Sequence, residues 1–243
     1  LAGTSAVDKI GLKRIDHEVV DRDRKRVYII GGEELELASV TQRLKIINKP
    51  GLNAWRVKMG KEEGDRVRDE TSEYGRAVHA AVKRIIDGKG FGAYEWSLDK
   101  FTAGKVEYPL VEPVKNGIRA FVQFKKSHTL EPVAAEFFVY SRLYEFAGTF
   151  DLLGNIDELL TLADYKTGGL YPEVWLQLAA YRQALWECYG VKVDQLMRIQ
   201  LSRETAQHEC DVLTGSDMDD AFAAYLHAQH LGEYLERQGG IYW

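Results

Sequence analysis

The sequence predicts a mixed α/β fold, one central sheet flanked by helices, on three observations. Three strand-like runs follow one another in the middle of the chain, VAAEFFVY (133–140), LYEFAGTFDLL (143–153) and ELLTLADYK (158–166). Segments of helical period bracket them, 72–86 before and 172–189 after. Two further strand-like runs, 195–201 and 207–212, then precede a final helix over 216–237. Helices on both sides of a strand cluster imply a sheet covered on both faces.

The elements read in order as follows. Residues 1–23 have weak periodicity and form an arm or an early strand. RKRVYIIGGEELEL (24–37) is a hairpin around Gly31 and Gly32. Ser39 followed by Gln42 is a capping box, so a helix starts there and ends before Pro50. A second helical piece runs over 52–59. The stretch 61–70 is dense in both charge signs and is expected to be exposed. Over 72–86, Val78, Val82, Ile85 and Ile86 form an apolar stripe with His79 beside it, and Gly88 and Gly90 end the helix. Residues 113–126 form another helix with Ile118, Phe121, Val122 and Phe124 inward. Gly154 and Asn155 make the tight connection between the second and third strands, and Pro172 opens the next helix at its first turn.

At 243 residues the chain is long enough to bury a sizeable core. Its 45% hydrophobic and 28% charged content is ordinary for a globular protein. No apolar run approaches the roughly 18 residues of a membrane helix, and no apolar stretch follows a basic start, so neither a membrane span nor a signal peptide is expected. Cys188 and Cys210 suit a reducing compartment, match no metal motif, and cannot ligate an iron–sulfur cluster alone. The net charge of −5 argues against charge-driven coating of DNA but leaves room for a local positive rim.

The informative stretch is GTFDLLGNIDELLTLADYKTG, 148–168. Strand alternation puts Asp164 and Lys166 on one face and Tyr165 on the other. Asp151 lies on the preceding strand. Carboxylates converging from neighbouring strands are what a hard divalent ion requires. A lysine beside them can orient a water and offset charge growing on a phosphate. Taken alone, Asp164-Tyr165-Lys166 reads more readily as an ordinary surface pair at a strand edge, because the tripeptide is common. Its neighbours decide between the readings.

Five signatures occur in sequence order: His79 in GRAVHA, Glu136 in AEFFVY, Gly148-Thr149-Phe150-Asp151, Asp164-Tyr165-Lys166 followed by Thr167-Gly168, and Gln177 with Tyr181. The set spans 75–181 and resembles the RecB-type branch of the PD-(D/E)XK nuclease superfamily, which includes phage exonucleases and CRISPR-adaptation nucleases. SVTQ (39–42) is also similar to the N-terminal helix of phage members. Two departures stand out. Phe150 replaces the proline of the superfamily's name, and Asp164 stands where glutamate is common.

The resemblance implies a restriction-endonuclease-like core within a single domain, 1–243. Residues 1–130 would be an arm and helical part, 131–215 the catalytic core, and 216–243 a C-terminal helix. It implies that His79, Asp151, Asp164 and the Tyr165 carbonyl ligate one or two Mg²⁺ or Mn²⁺ ions. Lys166 would position the attacking water, Glu136 would assist a ligand or a second metal, and Gln177 and Tyr181 would brace the site or touch DNA. The ordinary alternatives are a core histidine at His79, an exposed strand residue at Glu136, and plain helix packing at Gln177 and Tyr181. No iron–sulfur cluster is expected, because the members that carry one use four cysteines. There is no G-x-x-x-x-G-K-[ST], so a motor would be a separate helicase or recombinase chain.

The activity implied is exonucleolytic hydrolysis of linear DNA, single- or double-stranded, in recombination, repair or phage DNA processing. The setting would be the cytoplasm of a bacterial or phage-infected cell, with no membrane partner. The alternative is a catalytically silent DNA-binding or scaffold module. Candidate phosphate contacts are Arg22, Arg24, Lys25 and Arg26, then Lys45, Lys49, Arg56 and Lys58, and Arg142; each reads also as part of a solvated face. Ser39 and Thr41 are candidates at a helix start. Trp55, Trp96 and Trp175 could stack on unpaired bases or pack inward.

Overall fold

The computed structural model describes residues 12–22, 25–47 and 49–239. Arg24 lies outside them, as do the side chains of Arg22, Lys25 and Arg26, so the first basic cluster is not placed. Strands β1 (His17–Arg22), β2 (Lys25–Ile30) and β3 (Glu33–Leu35) form a small antiparallel sheet. Its second turn uses Gly31 (φ 60°) and Gly32 (φ 85°), a pair of positive φ angles that glycine adopts without steric cost.

Strand β4 (Ala38–Ser39) leads into the short helix α1 (Val40–Arg43). The expected capping box is present: the Gln42 N–H donates to Ser39 Oγ at 3.1 Å, and the Ser39 N–H donates to Gln42 Oε1 at 3.2 Å. Helix α2 (Pro50–Met59) starts with proline in its first turn. Helix α3 (Lys61–Ile86) is longer than the sequence pattern predicts. The charged stretch is exposed, as expected, but it is helical. Arg66 pairs with Glu63 and Glu70, and Arg68 with Asp65, at the three- and four-residue spacings that stabilise helices without an apolar face.

Next come α4 (Ala93–Trp96), the hairpin of β5 (Lys100–Ala103) and β6 (Val106–Pro109), and α5 (Glu112–Ser127). The main sheet follows with β7 (Leu130–Ser141), β8 (Phe146–Ile156) and β9 (Leu159–Lys166), then α6 (Glu173–Tyr189), β10 (Gln195–Leu201), β11 (His208–Thr214) and α7 (Ser216–Arg237). This is a mixed α/β architecture with a six-stranded central sheet flanked by helices. β7, β8 and β9 form an antiparallel meander; α6 crosses over to β10, which runs parallel to β9, and β11 closes the edge. One face packs on α6 and α7 through Phe150, Leu162, Leu178 and Tyr225. The other packs on α3 and α5 through Val78, Phe121, Tyr165 and Ile199.

The sequence misplaces one turn. Gly154 and Asn155 lie inside β8, and the chain reverses at Asp157 (φ 49°) and Glu158 (φ 72°). Gly154 is required for a different reason: a Cβ there would stand 2.8 Å from the Glu131 carbonyl oxygen of β7.

Two features of the sheet create a site. β8 pairs with β9 only from Ile156 back to Leu152, and on the same edge it meets β4 only at Phe146 and Ala147. Asp151 therefore sits where β8 and β9 part. At the same level both β7 and β8 slip by one residue in their facing. Phe137, Val139, Phe146 and Phe150 face α6, yet beyond Glu136 and Asp151 it is Ala134 and Leu153 that do so, while Leu152 faces α3. Glu136 absorbs the slip with φ 47°, a left-handed conformation that costs a non-glycine residue about 1–2 kcal/mol.

Candidate metal centre

His79, on α3, reaches this notch from one side of the sheet. Its Nδ1 lies 3.4 Å from Glu136 Oε1 and 3.5 Å from Asp151 Oδ1. The three residues offer ligand atoms that all lie within 4.8 Å of one another. A histidine and two carboxylates at that spacing can together coordinate a divalent metal. The second oxygen of Asp151 is taken by the backbone: the Tyr165 N–H donates to Oδ2 at 2.9 Å, replacing the strand partner lost where β8 and β9 part.

Asp164 and Lys166 share the α6 side of β9, and Tyr165 points to the α3 side, as alternation predicts. The Tyr165 ring is fully buried, 4.6 Å centroid to centroid from His79. Lys166 Nζ donates to Asp164 Oδ1 at 2.8 Å, and so does Gln177 Nε2 at 3.0 Å. Asp164 Oδ2 lies 2.7 Å from the same ammonium but off hydrogen-bonding direction, and it accepts no hydrogen bond. Glu136 Oε1 is also buried without one. Tyr181 lies one turn from Gln177, with its hydroxyl 3.5 Å from Gln177 Nε2. Its ring rests on Gly148, where a Cβ would come within 2.5 Å of Tyr181 Cε1. The glycine of the G-x-x-D stretch is thus a seat for the tyrosine of the next helix.

The structure therefore brings all eight sequence-predicted residues to one notch, in two groups. His79, Glu136 and Asp151 form the cluster of potential ligands. Asp164, Lys166, Gln177 and Tyr181 form a hydrogen-bonded chain on the α6 side, and Tyr165 lies between, giving its N–H to Asp151.

Asp151 and Asp164 are 7% and 1% exposed, and that burial shapes the electrostatics. Burial pushes the Asp164 carboxyl up to about 6, with Lys166 opposing and Asp151 adding to the rise. Burial pushes Asp151 the same way, but His79, Lys166 and the Tyr165 N–H outweigh it and hold this carboxyl below its ordinary range. Burial disfavours a charged His79, yet Asp151 and then Glu136 dominate and raise the imidazole to about 10. Lys166 is likewise held protonated against its burial by Asp164 and Asp151. Negative charge is in excess here, and His79 and Lys166 carry protons to balance it.

Two supporting residues escape sequence reading. Arg14 sends its guanidinium to the carbonyls of Glu136 (3.3 Å) and Ala135 (3.4 Å), gripping the strained backbone. Arg203 donates to the Thr167 carbonyl at 3.0 Å and the Thr71 carbonyl at 3.4 Å, tying α3 to the end of β9. Each is a lone arginine in a stretch without periodicity, so nothing in the sequence marks it.

Of the candidate phosphate contacts, Lys45, Lys49 and Arg56 line a cleft that reaches Lys166 and His79. Thr41 lines it too, whereas Ser39 is spent on its cap. Lys58 does not line that cleft, and Arg142 pairs with Glu33 of the small sheet. Trp96 packs beside Phe91, and Trp175 lies under the Arg198 guanidinium at 4.7 Å, so both are engaged in packing. Cys188 donates to the Tyr140 carbonyl at 3.2 Å and is half-buried, as is Cys210.

The fold and the notch define a mixed α/β protein with a three-residue cluster suited to a divalent cation. No protein-family model matches the sequence, and no curated protein matches it. No described helix is long and apolar enough to cross a membrane.

Proposed function

We propose that the chain is a metal-dependent deoxyribonuclease of the PD-(D/E)XK type, RecB branch, built on a restriction-endonuclease-like core and acting on linear DNA. The observation that carries this reading is the meeting of His79, Glu136 and Asp151 beside a lysine-tethered Asp164 at one break in the sheet. The donor set fits Mg²⁺ or Mn²⁺: it is oxygen-rich, negatively charged in excess, and holds buried carboxylate oxygens without hydrogen bonds at Glu136 and Asp164. Bound by His79, Glu136 and Asp151 with Asp164 adjacent, such an ion would polarise a phosphoryl oxygen and acidify a water.

The rest is the work of the chain's own side chains. Hydrolysis forms a bond between a water oxygen and phosphorus and breaks the P–O bond to a sugar. One water proton ends on the leaving sugar oxygen, so one product carries a phosphate and the other a hydroxyl. Lys166, charged and fixed by Asp164, orients the water and offsets charge on the phosphate oxygens. Gln177 holds Asp164 in place, and Tyr181 seats Gln177's helix on Gly148. Recombination, repair or phage DNA processing is the setting proposed, with any helicase or recombinase supplied by another chain.

The test is a gel assay of end-labelled linear single- and double-stranded DNA beside a covalently closed circle, in Mg²⁺, Mn²⁺ or EDTA. Asp164→Ala is the control. Metal-dependent loss of the linear forms, absent in the variant, supports the nuclease, and sparing of the circle supports end dependence. No cutting in either metal overturns it and leaves a silent DNA-binding module.

A further inference from the structure

The metal cluster does not lie at the end of a pocket. Two open clefts, of about 980 and 800 Å³, meet at Gly75 and His79. One runs along the C-terminal half of α3 towards the β5–β6 hairpin and includes Glu136; the other runs along the earlier turns towards α1 and α2 and includes Lys166. Between them α3, with Asp87 capping its end, lines the floor from Thr71 to Asp87, with His79 halfway. Sixteen helical steps at ~1.5 Å make a trough about 24 Å long. That is room for about seven phosphates at the ~3.4 Å strand spacing of duplex DNA, and fewer on an extended strand.

Each arm of the trough carries the same chemistry. Arg76 and Lys89 line the first, Lys45 and Arg56 the second; all four are exposed, and none has an ion-pair partner among the described residues. The neighbouring cations are already neutralised, Lys83 by Asp87, Arg84 by Glu95 and Lys49 by Glu173. One tyrosine lines each arm: the half-buried Tyr108, which stacks on Phe101 with one face, and the exposed Tyr171, which has the Lys49 ammonium 5.1 Å from its ring centre on one face. Unpaired cations track a phosphate backbone, and an aromatic ring stacks on a base only when that base is unpaired. The notch between the arms is walled by α3 on one face and α6 on the other; Asp164 is 1% exposed, and the side chains presented to the trough are those of His79, Glu136 and Lys166, at 27%, 34% and 32% exposed.

We infer that the strand being cut lies unpaired along both arms, with nucleotides held on each side of the scissile phosphate, so that the products are short oligonucleotides rather than mononucleotides. This rests on the nuclease reading above, and the experiment separates the two.

Internally labelled single-stranded DNA is digested in Mn²⁺, and the earliest products are sized on a denaturing gel. Separately, binding of a fluorescent 12-mer single strand is measured by anisotropy in EDTA across a salt series. The comparison is between wild type, Arg76→Glu with Lys89→Glu, and Lys45→Glu with Arg56→Glu. The expected result is early products of about three nucleotides or longer. Binding should weaken at least tenfold in both double variants, each with a log K against log salt slope shallower by about 1.4, at ~0.7 per lost phosphate contact. Mononucleotides from the first turnovers, or weakened binding in only one double variant, would overturn the two-armed trough. Absence of any cutting by wild type with both binding losses intact would remove the nuclease reading and leave the trough standing as a single-strand binding site.

Discussion

Two histidine–carboxylate groups lie on this sheet, and they are built to opposite ends. At the notch, His79 faces Glu136 and Asp151, more negative charge than it can balance, and Glu136 Oε1, like Asp164 Oδ2 beside the group, accepts no hydrogen bond. At the far end of β8, His128 Nδ1 bonds Asp157 Oδ2 at 2.6 Å, and the Thr129 N–H donates to Asp157 Oδ1 at 2.9 Å. Cys210 Sγ is 3.8 Å from His128 Nε2, and Ser127 Oγ is 3.2 Å from His208 Nε2, so the second group also has the residue types of a site. The difference is saturation. Asp157 is half in water, with each oxygen partnered, and it closes the β8–β9 turn. Asp151 is buried, and Glu136, on the strained strand beside it, has its side chain 34% exposed but its Oε1 shut away from water. Residue types do not distinguish a candidate metal centre from a turn clamp; surplus charge and unmet hydrogen bonds do.

The sharpest way to break this contrast is to neutralise one residue of each pair. Asp151→Asn should abolish cleavage and remove the thermal stabilisation given by Mg²⁺ or Mn²⁺. That stabilisation should be about 2.7 kcal/mol at a hundredfold excess over Kd, or roughly 5–10 °C for a chain of this size. Calorimetry with and without metal measures it. A metal-induced shift surviving in Asp151→Asn would remove this residue from the ligand set.

Next in size is Lys166→Ala. Turnover should fall by about 10²–10³-fold while the metal-induced shift in Tm persists, because Lys166 is bonded to Asp164 and not to the His79 cluster. Turnover at the wild-type rate would show that the ammonium serves packing alone.

The next effect is a pH dependence at His79. A metal ligand must be a neutral imidazole, and the apo protein holds His79 protonated up to about 10. Metal and proton therefore compete, and raising the pH favours the metal. Apparent affinity should climb about tenfold per pH unit from 7 to 9, a range in which Asp164, at about 6, has already ionised. Titration calorimetry at three pH values tests this, and His79→Gln should flatten the slope.

The smallest effect belongs to the turn. Asp157 is held below its ordinary range by His128 and the Thr129 N–H, so its contribution is present above about pH 3.8 and fades as the pH falls through the lowered value. Its side chain is 52% exposed, and solvent screening keeps the contribution at or below about 1 kcal/mol. Asp157→Asn should lower Tm by no more than about 4 °C at pH 7, with the gap closing in acid and no change in metal binding.

Much of this architecture could be read from residue order. The meander of β7 to β9 follows from its run of alternating and aromatic residues, and the face shared by Asp164 and Lys166 follows from a two-residue period. The early turns of α3 were hidden because a helix held by ion pairs has no apolar stripe. β5 and β6 are four residues each and carry no strong alternation. The notch was hidden for a deeper reason: it depends on a slip in facing at Glu136 and Asp151, and period-two reasoning assumes that no slip occurs. Reading Gly154 as a turn glycine was the same kind of error, since sequence shows that a side chain is missing but not which neighbour requires its absence.

The left-handed backbone at Glu136 places stability and chemistry in competition. A glycine there would adopt φ 47° without steric penalty and would free the notch of one negative charge, so Glu136→Gly is expected to raise Tm in metal-free buffer. A thermal denaturation curve decides it, and an unchanged or lower Tm would mean that Arg14's hold on this carbonyl already compensates the strain. If Tm rises, any selection for robustness alone, in the laboratory or in a lineage that no longer needs the activity, would erase Glu136 among the first residues.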